Sequence, residues 1–144
     1  MKAITIRKLR NDFAPAIDPA WPLLPIVRGR KAVIVGGDPR EPNRERLERA
    51  FRLESLDWPA IYGQRKVHST VESIRAHGYG LVLVLAPLIS HKQADAIIHA
   101  AKETSVPWAL ALGYGVSAIK LALERFLGGP TAHRSRRPSL SSAP

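Results

Sequence analysis

The stretch Leu81-Val82-Leu83-Val84-Leu85 is an unbroken aliphatic run, and Ala86-Pro87 closes it. A short apolar run of this kind is typical of a strand that is buried on both faces, as in a parallel sheet covered by helices. Ser90 and Gln93 then have the spacing of a helix N-cap and its third helical residue. The stretch therefore predicts a strand followed by a helix at the centre of an α/β fold.

Similar units lie on both sides of this stretch. Ala32-Val33-Ile34-Val35 ends in Gly36-Gly37 and predicts a first strand, and we expect Asn43 to cap the helix that follows it. The remaining elements are predicted in chain order as a weak strand over residues 53–58, a helix ending near Gly78, a strand over residues 106–112 and a last helix over residues 116–127.

Four strands that alternate with four helices call for parallel βαβ units with right-handed crossovers. We expect a small Rossmann-like or flavodoxin-like sandwich over residues 31–127, with strand order 2-1-3-4. A basic, proline-rich arm (residues 1–30) precedes it, and a basic tail expected to be disordered (residues 128–144) follows. Such sheets bind ligands where the strand order reverses, at the carboxyl ends of the first and third strands. The predicted crevice therefore lies between residues 36–43 and residues 90–92.

Both predicted crevice loops carry residues that suit an anion. Gly36 and Gly37 permit close approach of the backbone, and Arg40 and Arg44 follow them. Ser90, His91 and Lys92 open the helix across the crevice, where a cation is disfavoured by about 0.3–1 kcal/mol unless an anion offsets it. Phosphate, as part of a nucleotide or of a nucleic-acid backbone, is the anion that we expect there. The alternative is that Lys92 points to solvent and His91 only packs.

The segment Gly113-Tyr114-Gly115-Val116-Ser117-Ala118 matches G-x-G-x-x-A between a strand and a helix. The dinucleotide fingerprint also needs a further strand and an acidic residue about twenty positions on, whereas this chain runs into Gly128. We therefore expect no dinucleotide site, and the loop either joins the crevice or is a simple turn. The candidate ligand-binding residues are Gly36, Gly37, Arg40, Arg44, Ser90, His91, Lys92, Tyr114, Gly115 and Ser117.

His91, Asp95 and His99 recur at helical spacing. Two turns of helix span roughly 11 Å, so the three cannot bind one metal ion, and we predict no metal site. The sequence leaves open which cofactor, if any, the protein binds. His91 and Asp95 are weak catalytic candidates, as a general base and the group that orients it. A hydrogen-bonded surface pair is the simpler interpretation.

The composition limits the classes of protein further. The chain has 144 residues, no cysteine and a formal net charge of +10, most of which lies in residues 1–30 and 128–144. The lack of cysteine excludes disulfide scaffolds and thiol chemistry. Basic flanks either attract nucleic acid without sequence preference or are solvated tails. Because no apolar run approaches the ~20 residues that span a bilayer, we expect a soluble, cytoplasmic protein with no membrane partner.

Three motifs together are similar to a known family. Val33-Ile34-Val35-Gly36-Gly37, Ser90-His91-Lys92 and the Ser117 that opens the last helix resemble the small bacterial family called domain of unknown function 2325, over residues 31–127. The resemblance implies a compact Rossmann-like domain and assigns no activity. The family often has His after the glycine pair, where this chain has Asp38.

The function predicted from these observations is a non-catalytic or regulatory module that binds a phosphate-bearing ligand at the crevice. One alternative is an accessory protein that docks onto a protein partner through its proline-rich arm, between Pro15 and Pro25. A second alternative is an enzyme acting on a phosphorylated or nucleic-acid substrate with His91 as general base.

Overall fold

A four-stranded parallel sheet in the order β2-β1-β3-β4 forms the centre of the computed structural model, which describes residues 17–60 and 64–128. This confirms the predicted Rossmann-like or flavodoxin-like α/β fold. The strands are β1 (Lys31–Val35), β2 (Ser55–Asp57), β3 (Leu81–Leu85) and β4 (Trp108–Ala111). The helices are α1 (Leu24–Val27), α2 (Glu41–Ala50), α3 (Gln64–Arg75), α4 (His91–Glu103) and α5 (Val116–Leu127), and a 3₁₀ turn spans Ala86–Leu88.

Alternate side chains of each strand face two different helical layers. Ala32 and Ile34 of β1 pack in the layer that contains α2 and α5, whereas Val33 and Val35 pack in the layer of α3 and α4. The helix after β1 and the helix after β3 therefore leave the sheet toward opposite layers. This divergence creates the switch point of the sheet, at its carboxyl edge.

The described part of the proline-rich arm is a component of the core. Ile17, Trp21, Leu24 and Val27 are buried in the layer of α2 and α5. Pro25 lies in the first turn of α1, where a missing N–H costs nothing. Residues 17–27 therefore pack on their own domain. The rest of the predicted arm, residues 1–16, and the predicted tail beyond Gly128 lie outside the described residues.

The structure corrects the predicted start of α2. The helix begins at Glu41, and the N-cap position belongs to Arg40, which makes no side-chain capping bond. Asn43 therefore lies inside the first turn and does not cap the helix. The reason is Pro42, because proline suits the first turn of a helix and its fixed φ starts the helix earlier.

Helices α2, α3 and α4 end in the same way. The second residue after each helix has a positive φ: Arg52 (55°), His77 (63°) and Ser105 (59°). After α3, the His77 N–H donates to the Ile74 carbonyl at 3.0 Å, and the Gly78 N–H donates to the Ser73 carbonyl at 2.8 Å. These are Schellman motifs, in which the left-handed residue is usually glycine because a side chain costs about 1 kcal/mol there.

We expect His77→Gly to stabilise the protein by about 0.5–1 kcal/mol, since glycine removes the left-handed penalty but gains entropy in the unfolded chain. The measurement is the free energy of unfolding in urea. His68→Gly is the matched control, because His68 is an exposed residue inside α3. The control should lose about 0.3–0.5 kcal/mol, the difference between the helix propensities of histidine and glycine. A loss of stability in both variants would contradict the strain assigned to His77.

Candidate functional site

The loops after β1 and β3 meet at the carboxyl edge of the sheet. The Gly37 N–H donates to the Leu88 carbonyl at 2.9 Å, and a Cβ on Gly37 would lie 3.0 Å from Leu88 Cδ1. Gly36 and Gly37 have φ values of 123° and 65°, which are the unusual backbone dihedrals that glycine permits. The Gly37 N–H is occupied, however, and Leu88 lies against the glycine. The deep part of the predicted crevice is closed by this contact.

The side chain of Arg40 lies against the loop between β4 and α5. Its guanidinium carbon is 5.4 Å from the centroid of the Tyr114 ring, and that ring is 5.6 Å from the ring of Trp58. The indole Nε1 of Trp58 in turn donates to the Gly36 carbonyl at 3.0 Å. Over the described ranges, Arg40 takes part in no ion pair. The contact with Tyr114 therefore holds a guanidinium that is exposed and forms no ion pair with an acid of the described ranges.

The N-terminus of α5 follows directly after Tyr114. Gly115 occupies the N-cap position and supplies no side-chain capping bond to the first amides of the helix. Gly115 and Ser117 are both exposed. The first free N–H groups of a helix form the positive end of its dipole and suit an anion. The structure thus brings together three of the groups that the sequence placed at the crevice, namely Arg40, Tyr114 and the N-terminus of α5.

Arg44, a predicted ligand-binding residue, has a structural role in the domain. Its guanidinium donates to Glu41 at 2.6 Å, to Glu48 at 3.2 Å and to the Leu56 carbonyl at 3.0 Å. The hydrogen bonds from Arg44 lower the pKa of Glu41 and the bond to Glu41 raises the pKa of Arg44. Arg44 therefore ties α2 to β2, away from the glycine loops. This pairing could have been predicted from the sequence, because Glu41 and Glu48 lie at i−3 and i+4 from Arg44 on the same helix.

The start of α4 is organised as predicted around Ser90, whose Oγ accepts a hydrogen bond from the Gln93 N–H at 3.1 Å. His91 and Lys92 are exposed. Lys92 borders a groove of about 320 Å³ between α3 and α4, lined also by Val67, His68, Val71, Gln93 and Ala96. Lys92 therefore belongs to the layer of α3 and α4, and Arg40 to the layer of α2 and α5. The two cations border the carboxyl edge from different layers.

The expected surface pair of His91 and Asp95 does not form. Both residues are described, and no hydrogen bond or ion pair joins them; the ion pair on this helix is His99 with Glu103, at 3.3 Å. One turn of helix separates the two side chains, but their rotamers do not bring them together. Nothing in the geometry orients His91 as a base. Within residues 17–60 and 64–128 no group of three or more His, Cys, Asp or Glu could hold a metal ion.

Two residues of the site were not among the sequence candidates. No functional role was predicted from the sequence for Trp58 or for Leu88. Trp58 was recognisable as an aromatic residue just after a strand, but its bond to Gly36 depends on how β2 and β1 pair.

No helix in the described ranges is long and apolar enough to cross a membrane. Comparison of the chain with protein-family models, curated proteins and solved structures found no match.

Proposed function

We propose that the protein is a non-catalytic or regulatory module that binds a phosphate-bearing ligand at the carboxyl edge of its sheet. The observation that carries the proposal is the exposed guanidinium of Arg40, stacked on Tyr114 beside the uncapped N-terminus of α5. Arginine presents a planar fork of donors that matches two phosphate oxygens, and the helix end adds backbone donors. The stacking also reduces the conformational freedom that Arg40 would lose on binding.

The position of these groups in the sheet supports the same proposal. Arg40 follows β1 and the N-terminus of α5 follows β4, so these groups lie at the carboxyl edge of the sheet, where open α/β sheets bind ligands. In this proposal Arg40, Gly115 and Ser117 bind one phosphate group. Lys92 and His91 attract a further anionic group from the neighbouring layer. Membership of the domain of unknown function 2325 family is likewise proposed, on the motifs given above, and it would add no activity.

The test is calorimetric titration of the full chain with inorganic pyrophosphate and a panel of nucleotides at low salt. We expect at least one of these ligands to bind, and Arg40→Ala to weaken its binding about 10- to 100-fold, the range for loss of a hydrogen bond to a charged group. Lys92→Ala should have a smaller effect, since Lys92 lies in the other layer.

Arg125→Ala is the matched control. It removes the same charge from an exposed position near the C-terminal end of α5, so it should leave the affinity nearly unchanged. Equal weakening in Arg40→Ala and Arg125→Ala would show that only net charge matters and would refute the site. Failure of every phosphate compound to bind the wild-type chain would refute the proposal as a whole.

A further inference from the structure

Four arginines lie close together at the opposite, amino edge of the sheet, and we call Arg28, Arg46, Arg49 and Arg52 the arginine cluster. Arg46 and Arg49 are three positions apart on α2 and are therefore neighbours on its surface. Arg52 follows the end of the helix, and its carbonyl accepts a hydrogen bond from the Gly29 N–H at 2.7 Å. That bond places Arg28 next to Arg52. The cluster thus combines two segments distant in sequence.

The arginine cluster forms no ion pair with an acid of the described ranges. In the described ranges, none of its four side chains takes part in an ion pair or a side-chain hydrogen bond, and all but the half-buried Arg46 are exposed. The exposed acids in this region are Glu45 and Glu54, and Glu54 lies 4.0 Å from Lys31. The helix dipole favours a basic residue in the last turn of a helix. This explains the position of Arg49 but not the positions of the other three arginines.

In the layer of α3 and α4, by contrast, charged side chains at the amino edge of the sheet form ion pairs. Arg75, at the end of α3, donates to Glu103 at 3.0 Å and lies 3.4 Å from Glu72. His99 is paired with Glu103 as well. Arg75 and His99 are therefore matched with acids in the layer of α3 and α4. The four arginines of the cluster have no such partner in the described ranges.

We infer that the arginine cluster binds the phosphate backbone of a nucleic-acid duplex. All four residues are arginine, the side chain that pairs with phosphate oxygens in a bidentate manner. The nearest aromatic rings, Trp21 and Phe51, are buried, so they cannot stack on the unpaired bases of a single strand. Phosphate contacts of this kind position a duplex without reading its sequence. This surface is separate from the carboxyl edge and does not depend on Arg40.

The test is a salt titration of the binding of a fluorescent duplex of about twenty base pairs to the full chain, followed by anisotropy. The variant replaces Arg46, Arg49 and Arg52 by glutamine. Each lost phosphate contact reduces the salt slope, d log K/d log [salt], by about 0.9 for DNA. We therefore expect the slope to fall by about 2 to 3 and the affinity at about 0.1 M salt to fall at least ten-fold. Thermal unfolding of the variant verifies that it folds.

A second variant removes the same number of charges from the same edge, with Arg75, Lys102 and Arg125 replaced by glutamine. It should retain most of the salt slope. Equal losses in the two variants would overturn the inference, because net charge alone would then explain binding. The inference would also fail if the cluster variant lost binding to anionic phospholipid vesicles while duplex binding was unaffected. Arg40→Ala should leave the duplex slope unchanged, with a difference well below the ~0.9 that one lost phosphate contact would remove.

Discussion

Gly36→Ala should destabilise the protein by about 2–6 kcal/mol. The residue has a φ of 123°, a conformation essentially restricted to glycine, which costs about 1–3 kcal/mol for any side chain. An added Cβ would also lie 2.8 Å from Leu85 Cβ and 3.0 Å from the Leu85 carbonyl oxygen. Leu85 belongs to β3 at the centre of the sheet, so the backbone must move to relieve the contact, at a further cost of about 1–3 kcal/mol.

The measurement is the midpoint of urea unfolding, with Gly113→Ala as the matched control. A Cβ on Gly113 would meet only Ala118 Cβ, at 3.7 Å, which is ordinary van der Waals contact. The control should therefore unfold close to the wild-type midpoint. Since domains are stable by only about 5–15 kcal/mol in total, the Gly36 variant should be partly unfolded in mild denaturant. Identical midpoints for the two variants would contradict the close approach of β1 and β3.

Trp21→Ala is expected to cost about 3–5 kcal/mol, the range for removal of a large buried aromatic side chain. The ring of Trp21 is 6% exposed and lies 5.8 Å from the ring of Phe51. Its Nε1 donates to Glu124 at 2.9 Å. Residue 21 thus connects the arm to α2 and α5. Trp21→Phe should recover part of this loss, because it keeps an aromatic contact but gives up the hydrogen bond and some of the buried volume.

Trp108→Ala serves as the comparison for the same chemical change. Trp108 is only half-buried, at the start of the edge strand β4, so its removal should cost clearly less than that of Trp21. The measurement is the free energy of unfolding of Trp21→Ala, Trp21→Phe and Trp108→Ala. If Trp21→Ala were no more destabilising than Trp108→Ala, the arm would not be a component of the core.

The packing of the arm changes how the alternative of a protein partner must be tested. Trp21, Leu24 and Val27 are buried in their own domain and present no apolar surface to another protein. Deleting residues 1–30 would remove part of the core, and loss of partner binding would then reflect unfolding. Deleting residues 1–16 removes none of these side chains and is the informative experiment for that alternative.

The fold could be predicted because its signals are local. Every position of β3 is buried, so an unbroken aliphatic run marked the strand to the residue. The second strand was predicted too long, at residues 53–58, for an equally local reason. Leu53 is buried, but its N–H donates to the Glu48 carbonyl in the turn that ends α2. Its apolar character therefore belongs to the helix end and not to β2.

The candidate site was less predictable because it depends on contacts between distant segments. The loops that would meet could be inferred from the strand order alone. The contact of Arg40 with Tyr114 joins residues in different loops, and the position of Leu88 beside Gly37 follows from the 3₁₀ turn after β3. No periodicity in the sequence encodes either contact. The pairing of Arg44 with Glu41 and Glu48, by contrast, was visible in the helical spacing.

The contact between Gly37 and Leu88 determines how much of a ligand this edge can enclose. If Arg40 binds a phosphate compound as proposed, the filled gap between the two loops would leave that compound on an open surface, with most of its remaining area hydrated. Few protein atoms can then distinguish one base or sugar from another. Selectivity among such compounds should depend on how many phosphates they carry and how these are spaced, and their release should be fast.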